Sequence, residues 1–151
     1  MVEVALRFLS HEWKDAVRIE KDFEPGLKAY ASRNQVVQVL VNLLQNSLDA
    51  LKSAAAPPLD PVIRITGREQ DGFCLLSVRD NGPGIPEEIR SKIFEPFFTT
   101  KDVGAGMGLG LNICYRIAQA HGGSIEVRSE PGRFSEFTLR LPAREPVPAS
   151  A

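Results

Sequence analysis

The chain has few of the residues that build covalent or metal frameworks. Its two cysteines, Cys74 and Cys114, stand apart, one in a strand-like apolar run and one in a helix-like run. With no metal-site spacing between them, a disulfide scaffold and a cysteine zinc site are both excluded, and the thiols are expected to be reduced and buried. No apolar stretch approaches the roughly 20 residues of a membrane-spanning helix, and no signal peptide opens the chain. The segment is therefore expected to make no membrane contact and to be cytoplasmic, any membrane anchor of a longer parent lying upstream. Neither sign of charge prevails: Lys and Arg number 18 against 19 for Asp and Glu, a formal net charge of −1. Without a broad basic surface, nucleic acid is not an expected partner. No internal repeat is present.

A hydrophobic content of 43% over 151 residues suffices for one sizeable core. The expected division is a single domain over 1–143 and a disordered tail over 144–151. Helical periodicity is read near Glu3–Lys14, over Arg33–Lys52, near Pro86–Lys92 and near Leu111–His121. Strand patterns are read at Val17–Phe23, Val62–Arg68, Phe73–Arg79, Ser124–Ser129 and Ser135–Leu141, with a short extended piece at Leu27–Ala31 and an Ala/Pro loop at Ala54–Pro61. Strand pairs separated by helices predict a two-layer α/β sandwich: one mixed sheet, helices on one face, and a ligand held between helices and a loop.

Four stretches carry the chemistry. On the Arg33–Lys52 helix, Gln35, Gln38, Asn42, Gln45, Asn46 and Asp49 share an arc of roughly 100°. Almost all the rest of that helix is Val, Leu and Ala. A solvated helix face more often carries Lys and Glu, so five neutral amides and one carboxylate suit a bound ligand better. Next, the apolar run from Phe73 to Val78 delivers Asp80 at a strand end, followed by Asn81-Gly82-Pro83-Gly84-Ile85, whose glycines let a flat ring approach the backbone. Third, Phe94 to Lys101 joins aromatic anchors to Thr99, Thr100 and Lys101, which are donors for phosphate oxygens. Last, Gly104-Ala105-Gly106-Met107-Gly108-Leu109-Gly110 precedes a helix, where backbone N–H groups and the positive helix end can face phosphate. It is not a Walker loop, because no Gly-Lys-Ser/Thr ends it, nor a dinucleotide fingerprint, because it does not follow a strand.

Taken singly, each stretch has a structural explanation; together, in this order, they resemble the catalytic and ATP-binding domain of a two-component sensor histidine kinase. That group lies in the superfamily with DNA gyrase, the ninety-kilodalton heat-shock chaperone and MutL, whose fold is the Bergerat α/β sandwich. The resemblance covers roughly residues 3 to 142. It makes Asn42–Ala50 the N box, Asp80–Gly84 the first glycine box, Phe94–Lys101 the F box and Gly104–Gly110 the second glycine box. By the same resemblance, Asn46 coordinates magnesium and Asp80 accepts a hydrogen bond from the adenine amino group. Thr138 would contact adenine directly or through water, Gly82, Gly84 and Ile85 would border the base, and Gly106, Gly108 and Gly110 would shape a lid over the phosphates. The implied cofactors are ATP and Mg²⁺.

The resemblance also implies a kinase module that transfers the γ-phosphoryl group to a histidine on a separate dimerisation domain, with a response regulator downstream. No self-sufficient catalytic residue is expected, because neither histidine fits the acceptor role. His11-Glu12 is not continued by the acceptor pattern, and His121 stands before Gly122-Gly123 as a helix end. Gyrase-like ATPases place a water-activating glutamate four residues before the magnesium asparagine, whereas this chain has Asn42, which cannot act as a general base. That weighs against the alternative of a gyrase- or MutL-like ATP-hydrolysing switch; intact Asn46, Asp80 and glycines weigh against a vestigial interaction module. Two departures stand out. Asp49 occupies a position where many histidine kinases have Lys, a role the resemblance passes to Lys101, and Pro131-Gly132-Arg133-Phe134-Ser135 keeps only the first glycine of the last glycine box.

Overall fold

The computed structural model describes residues 1–53, 58–95 and 108–144. Its elements run α1 (Val2–Phe8), α2 (Ser10–Trp13), β1 (Arg18–Phe23), α3 (Arg33–Ser53), β2 (Val62–Gln70), β3 (Phe73–Asp80), α4 (Glu87–Arg90), α5 (Gly108–Ala120), β4 (Ser124–Glu130) and β5 (Phe134–Pro142).

The central helix α3 forms where the apolar spacing is most regular. Val36, Val39, Leu40, Leu43, Leu44, Leu48 and Leu51 recur at three- and four-residue intervals, and all are buried. Burial of each such side chain stabilises by ~1.5–3 kcal/mol. Ser32 begins the helix, its hydroxyl accepting from the Gln35 amide at 3.4 Å and its carbonyl from Val36 at 3.0 Å. The helix packs against β3 and is flanked by α1 and α5.

The sheet has the order β1-β2-β3-β5-β4. Strand β1 is parallel to β2, with α3 in the crossover between them, and every other pairing is antiparallel. The β2–β3 hairpin turns through Asp71 (φ 54°) and Gly72 (φ 83°), the two positive angles a tight primed turn requires. Alternation is strict along β3 and β5. Cys74, Leu76, Val78 and Asp80 face inward with Ser135, Phe137, Leu139 and Leu141, and the intervening residues face out. The mixed sheet with helices on one face is the fold class the sequence predicts.

Two elements differ from expectation. The first helix is two pieces, because Leu9 leaves helical geometry (φ −109°, ψ 11°), and the Leu6 carbonyl accepts from the Leu9 amide at 3.2 Å and from the Trp13 indole at 2.8 Å. Leu27–Ala31 belongs to no strand; the Tyr30 amide donates to the Pro142 carbonyl at 2.7 Å. Helix α5 begins at Gly108, three residues before the expected start. It ends as the sequence suggests, with Gly122 at φ 73° and the Gly123 amide donating to the Ala118 carbonyl at 2.9 Å. At that end His121 bridges two helices: Nδ1 donates to the Ile117 carbonyl at 2.8 Å while Nε2 accepts from the Ser32 amide at 3.1 Å. This supports its reading as a structural histidine.

Candidate active site

Asp80 is the focus. It terminates β3 on the inner face and is only 2% exposed, yet no cation pairs with it among the described residues. Its Oδ1 accepts from the Gly82 amide at 2.9 Å and its Oδ2 from the Ser135 hydroxyl at 3.0 Å. Burial pushes its pKa above the ordinary carboxylate value; the Gly82 amide, the Ser47 hydroxyl and the Ser135 hydroxyl partly offset this. Ser47 stands on α3, 1% exposed, and its hydroxyl makes no hydrogen bond of normal geometry among the described residues.

The turn after Asp80 is held rigidly. Asn81 accepts from the Val62 amide at 2.9 Å and donates to the Asp60 carbonyl at 2.8 Å. The Gly132 amide donates to the Pro83 carbonyl at 2.7 Å, and the Ile85 amide to the Ser129 hydroxyl at 2.7 Å. At Gly84, φ is 75° and a Cβ would come within 2.6 Å of the Glu130 carbonyl, so only glycine fits. The turn bearing Gly82, Gly84 and Ile85 is thus fastened to the β4–β5 turn, and its position relative to Asp80 is fixed.

The polar stripe of α3 divides along its length. Gln35 and Gln38 are exposed, while Asn42, Gln45, Asn46 and Asp49 are half-buried. Gln45 donates to Asp49 at 2.9 Å. The buried Cys114 thiol donates to the Val39 carbonyl at 3.9 Å, and its pKa is pushed by burial up to about 12, an effect that Asn42 partly offsets. The Asn46 Nδ2 is buried and has no partner among the described residues. Asn46 and Ser47 therefore present unused polar atoms on the helix that faces the end of β3, which is unusual inside a protein unless something else is to be bound there.

The structure moves one predicted residue. Thr138 pairs with Ser77, their hydroxyls 2.9 Å apart, on the outer face of the sheet. Asp80 lies on the inner face, so Thr138 does not stand beside it. The hydroxyl that does is Ser135, three residues earlier and paired with Asp80 in register. Strand parity would have found it, because Phe137, Leu139 and Leu141 must face the core and Ser135 shares their side. Gly108, Leu109 and Gly110 form the first turn of α5 instead of a loop. Thr99, Thr100, Lys101, Gly106 and Met107 lie outside the described residues. Just before them, Phe94 packs edge-on against Phe137 (6.2 Å between ring centres), and its carbonyl accepts from Asn112 at 3.0 Å, anchoring this segment to β5 and α5.

Residues 31–145 match the family described as histidine kinase-, DNA gyrase B-, and HSP90-like ATPase. The chain is 42% identical over 135 residues to the C4-dicarboxylate transport sensor protein DctB of Rhizobium meliloti, covering 87% of this chain and 20% of that protein. It is 43% identical over 113 residues to the histidine-protein kinase AtoS of Escherichia coli, covering 74% and 17%. The chain thus spans about a fifth of the length of these relatives. Among solved structures, the catalytic domain of histidine kinase ThkA superposes with a TM-score of 0.79 at 31% identity, covering 94% of this chain and 90% of that one. Full-length ShkA in complex with AMPPNP gives a TM-score of 0.79 at 27% identity, covering 93% and 29%. The chain belongs to the family of histidine kinase-, DNA gyrase B- and HSP90-like ATPases, on its histidine-kinase branch.

Proposed function

We propose that the chain binds Mg-ATP and presents its γ-phosphoryl group to a histidine on a separate dimerisation domain of the same parent, in a two-component pathway with a response regulator downstream. The observation that carries this reading is Asp80: a carboxylate 2% exposed, with no cation paired to it among the described residues, beside a turn that admits no Cβ at Gly84. Such a group is a ready acceptor for an exocyclic amine on a flat ring, and adenine presents one. Ser135 orients the carboxylate from the neighbouring strand, and Ser47 offers a further hydroxyl. Gly82, Gly84 and Ile85 border the base.

The metal fits Asn46, a half-buried amide of the polar stripe whose Nδ2 has no hydrogen-bond partner among the described residues. Its oxygen is a hard ligand of the kind Mg²⁺ accepts, with phosphate oxygens and water completing the shell. Bound magnesium supplies neutralisation of charge on the phosphates. A helix N-terminus such as the start of α5 at Gly108 suits phosphate, and Thr99, Thr100 and Lys101 would add further donors. Asn42, a neutral amide, is no general base, so water is not activated and ATP is kept for the incoming imidazole. Phosphoryl transfer of this kind needs chiefly positioning and charge stabilisation.

Titration of the chain with ATP, with and without Mg²⁺, tests the assignment. Asn46→Ala should abolish the magnesium dependence of binding, and His11→Ala should leave it intact. Labelled ATP alone should give no acid-labile phosphohistidine, whereas adding the parent's dimerisation domain should give it. Equal behaviour of the two variants would overturn the magnesium role.

A further inference from the structure

Polar side chains are scarce inside this fold, and those present are gathered at one end of it. Among the described residues four polar or charged side chains are buried: Ser47, Asp80, Ser129 and Ser135. Three of them form a single row across the sheet, because Asp80 on β3 lies opposite Ser135 on β5, and Ser135 lies opposite Ser129 on β4. The row is on the inner face, at 2%, 4% and 8% exposure. Ser135 has its use there, donating to the Asp80 carboxylate.

The Ser129 hydroxyl is spent on the neighbouring turn. It accepts from the Ile85 amide at 2.7 Å and donates to the Phe134 carbonyl at 3.0 Å, while the Ser129 carbonyl accepts from the Arg90 guanidinium of α4 at 3.0 Å. One residue thus joins the turn after β3, the start of β5 and the helix that follows the turn. A buried hydroxyl engaged both as donor and as acceptor is a fixed point, since each bond holds it in the geometry of the other. The consequence concerns spacing. Ser135 holds the carboxylate, Ser129 holds Ile85, and the two serines are register partners on adjacent strands. The chain between Asp80 and Ile85 contains Gly82 and Gly84, whose backbone freedom leaves that spacing to be set from outside.

We propose that Ser129 is a positioning residue for the purine base: by holding the Ile85 amide to the row that carries Asp80, it sets the slot in which the base meets the carboxylate, and with it the preference for adenine. The inference rests on the assignment of this site to ATP made above. A hydrogen bond weakens steeply once it bends or lengthens beyond about 3.2 Å. A turn displaced by a fraction of an ångström therefore costs the bond between adenine and Asp80 before it costs the stacking of the ring. Guanine has an oxygen where adenine has its amine, makes no such bond and has little to lose. Arg90 braces the same point from α4, so its removal acts in the same direction with smaller effect.

Competition binding of ATP and GTP to the whole chain in Mg²⁺, with the melting temperature of each variant recorded, tests the role. The natural chain should prefer ATP. Ser129→Ala should weaken ATP roughly threefold to tenfold and GTP by less than about twofold, so the ratio of the two affinities falls. Ser129→Thr keeps the hydroxyl and should hold the ratio within about twofold of the natural value. Hydrogen exchange of the Ile85 amide should quicken in Ser129→Ala and not in Ser129→Thr. Should Ser129→Ala not fold, Arg90→Met, which removes the brace and keeps an apolar stem, should lower the same ratio about twofold to threefold. An equal loss of both nucleotides, an unchanged ratio in the folded variants, or Ser129→Thr behaving as Ser129→Ala would overturn the positioning role while leaving the ATP assignment standing. A natural chain that binds neither nucleotide would overturn that assignment and this inference with it.

Discussion

Replacing Asp80 by Asn separates the needs of the fold from the needs of the ligand. The amide is nearly isosteric, its oxygen can still accept from the Gly82 amide, and its nitrogen can donate to the Ser135 hydroxyl in place of accepting from it. Both contacts survive while the buried charge is removed. The variant should therefore be as stable as the natural chain at pH 7.5 or more so, by about 1 kcal/mol, the order expected when an incompletely compensated buried group is relieved. For a chain of this size that is about 2–4 °C in Tm. The pH dependence has a definite sign. Burial raises the folded-state pKa of Asp80 above its unfolded value of 3.8, so the folded protein holds the proton more tightly. The cost of the charge is absent below 3.8, grows as pH rises through the window up to the raised folded value, and is complete above it. The Tm difference, variant minus natural chain, should be largest near neutrality and fall toward zero in acid. ATP binding should move the other way. Loss of a charged acceptor removes roughly 1.5–3 kcal/mol, about tenfold to a hundredfold in affinity. GTP, with an oxygen where adenine has its amine, should lose little, so the preference for ATP should shrink. Calorimetric melting across pH and competition binding of the two nucleotides decide the matter. A variant destabilised by ~2 kcal/mol or more at pH 7.5, or one with an undiminished ATP preference, would refute the reasoning.

Ser135→Ala should weaken ATP by about 0.5–1.5 kcal/mol, whereas Thr138→Val, on the opposite face, should leave it unchanged; parallel titrations compare them. His121→Ala removes one bond within the end of α5 and one that joins it to the start of α3, and should lower stability by about 1–2 kcal/mol in urea unfolding, with ATP still bound by the folded fraction. Gly84→Ala meets the Glu130 carbonyl at 2.6 Å in a left-handed conformation and should cost ~2 kcal/mol or more, read from the same unfolding curves.

Much of the architecture is legible in sequence because its signals are local. Seven apolar positions define α3, Asp71-Gly72 defines the β2–β3 turn, and alternation defines β3 and β5. What escaped depends on distant partners. Nothing in the run from Glu3 to Lys14 marks a break at Leu9, since the indole that meets the Leu6 carbonyl comes from Trp13, seven residues on. The early start of α5 is hidden by Gly108 and Gly110, which are poor helix formers. Ser47 falls among the leucines of α3 and reads as core; its hydroxyl gains meaning only once the end of β3 is placed beside it. Thr138 was chosen for its residue type, whereas the face of the strand decides, and that face belongs to Ser135.

The alternation of β5 bears on how this domain tolerates insertion and deletion. Ser135 is in phase with Phe137, Leu139 and Leu141, three side chains that fill the core. One residue gained or lost in the turn at 131–133 that shifted the strand would bring Thr138 to the inner face, but would also turn those three apolar side chains to water. Length changes in that turn are then admissible only in ways that keep phase. A lineage can alter the hydroxyl at 135 by substitution, but it cannot exchange the hydroxyl beside Asp80 by slippage and remain folded.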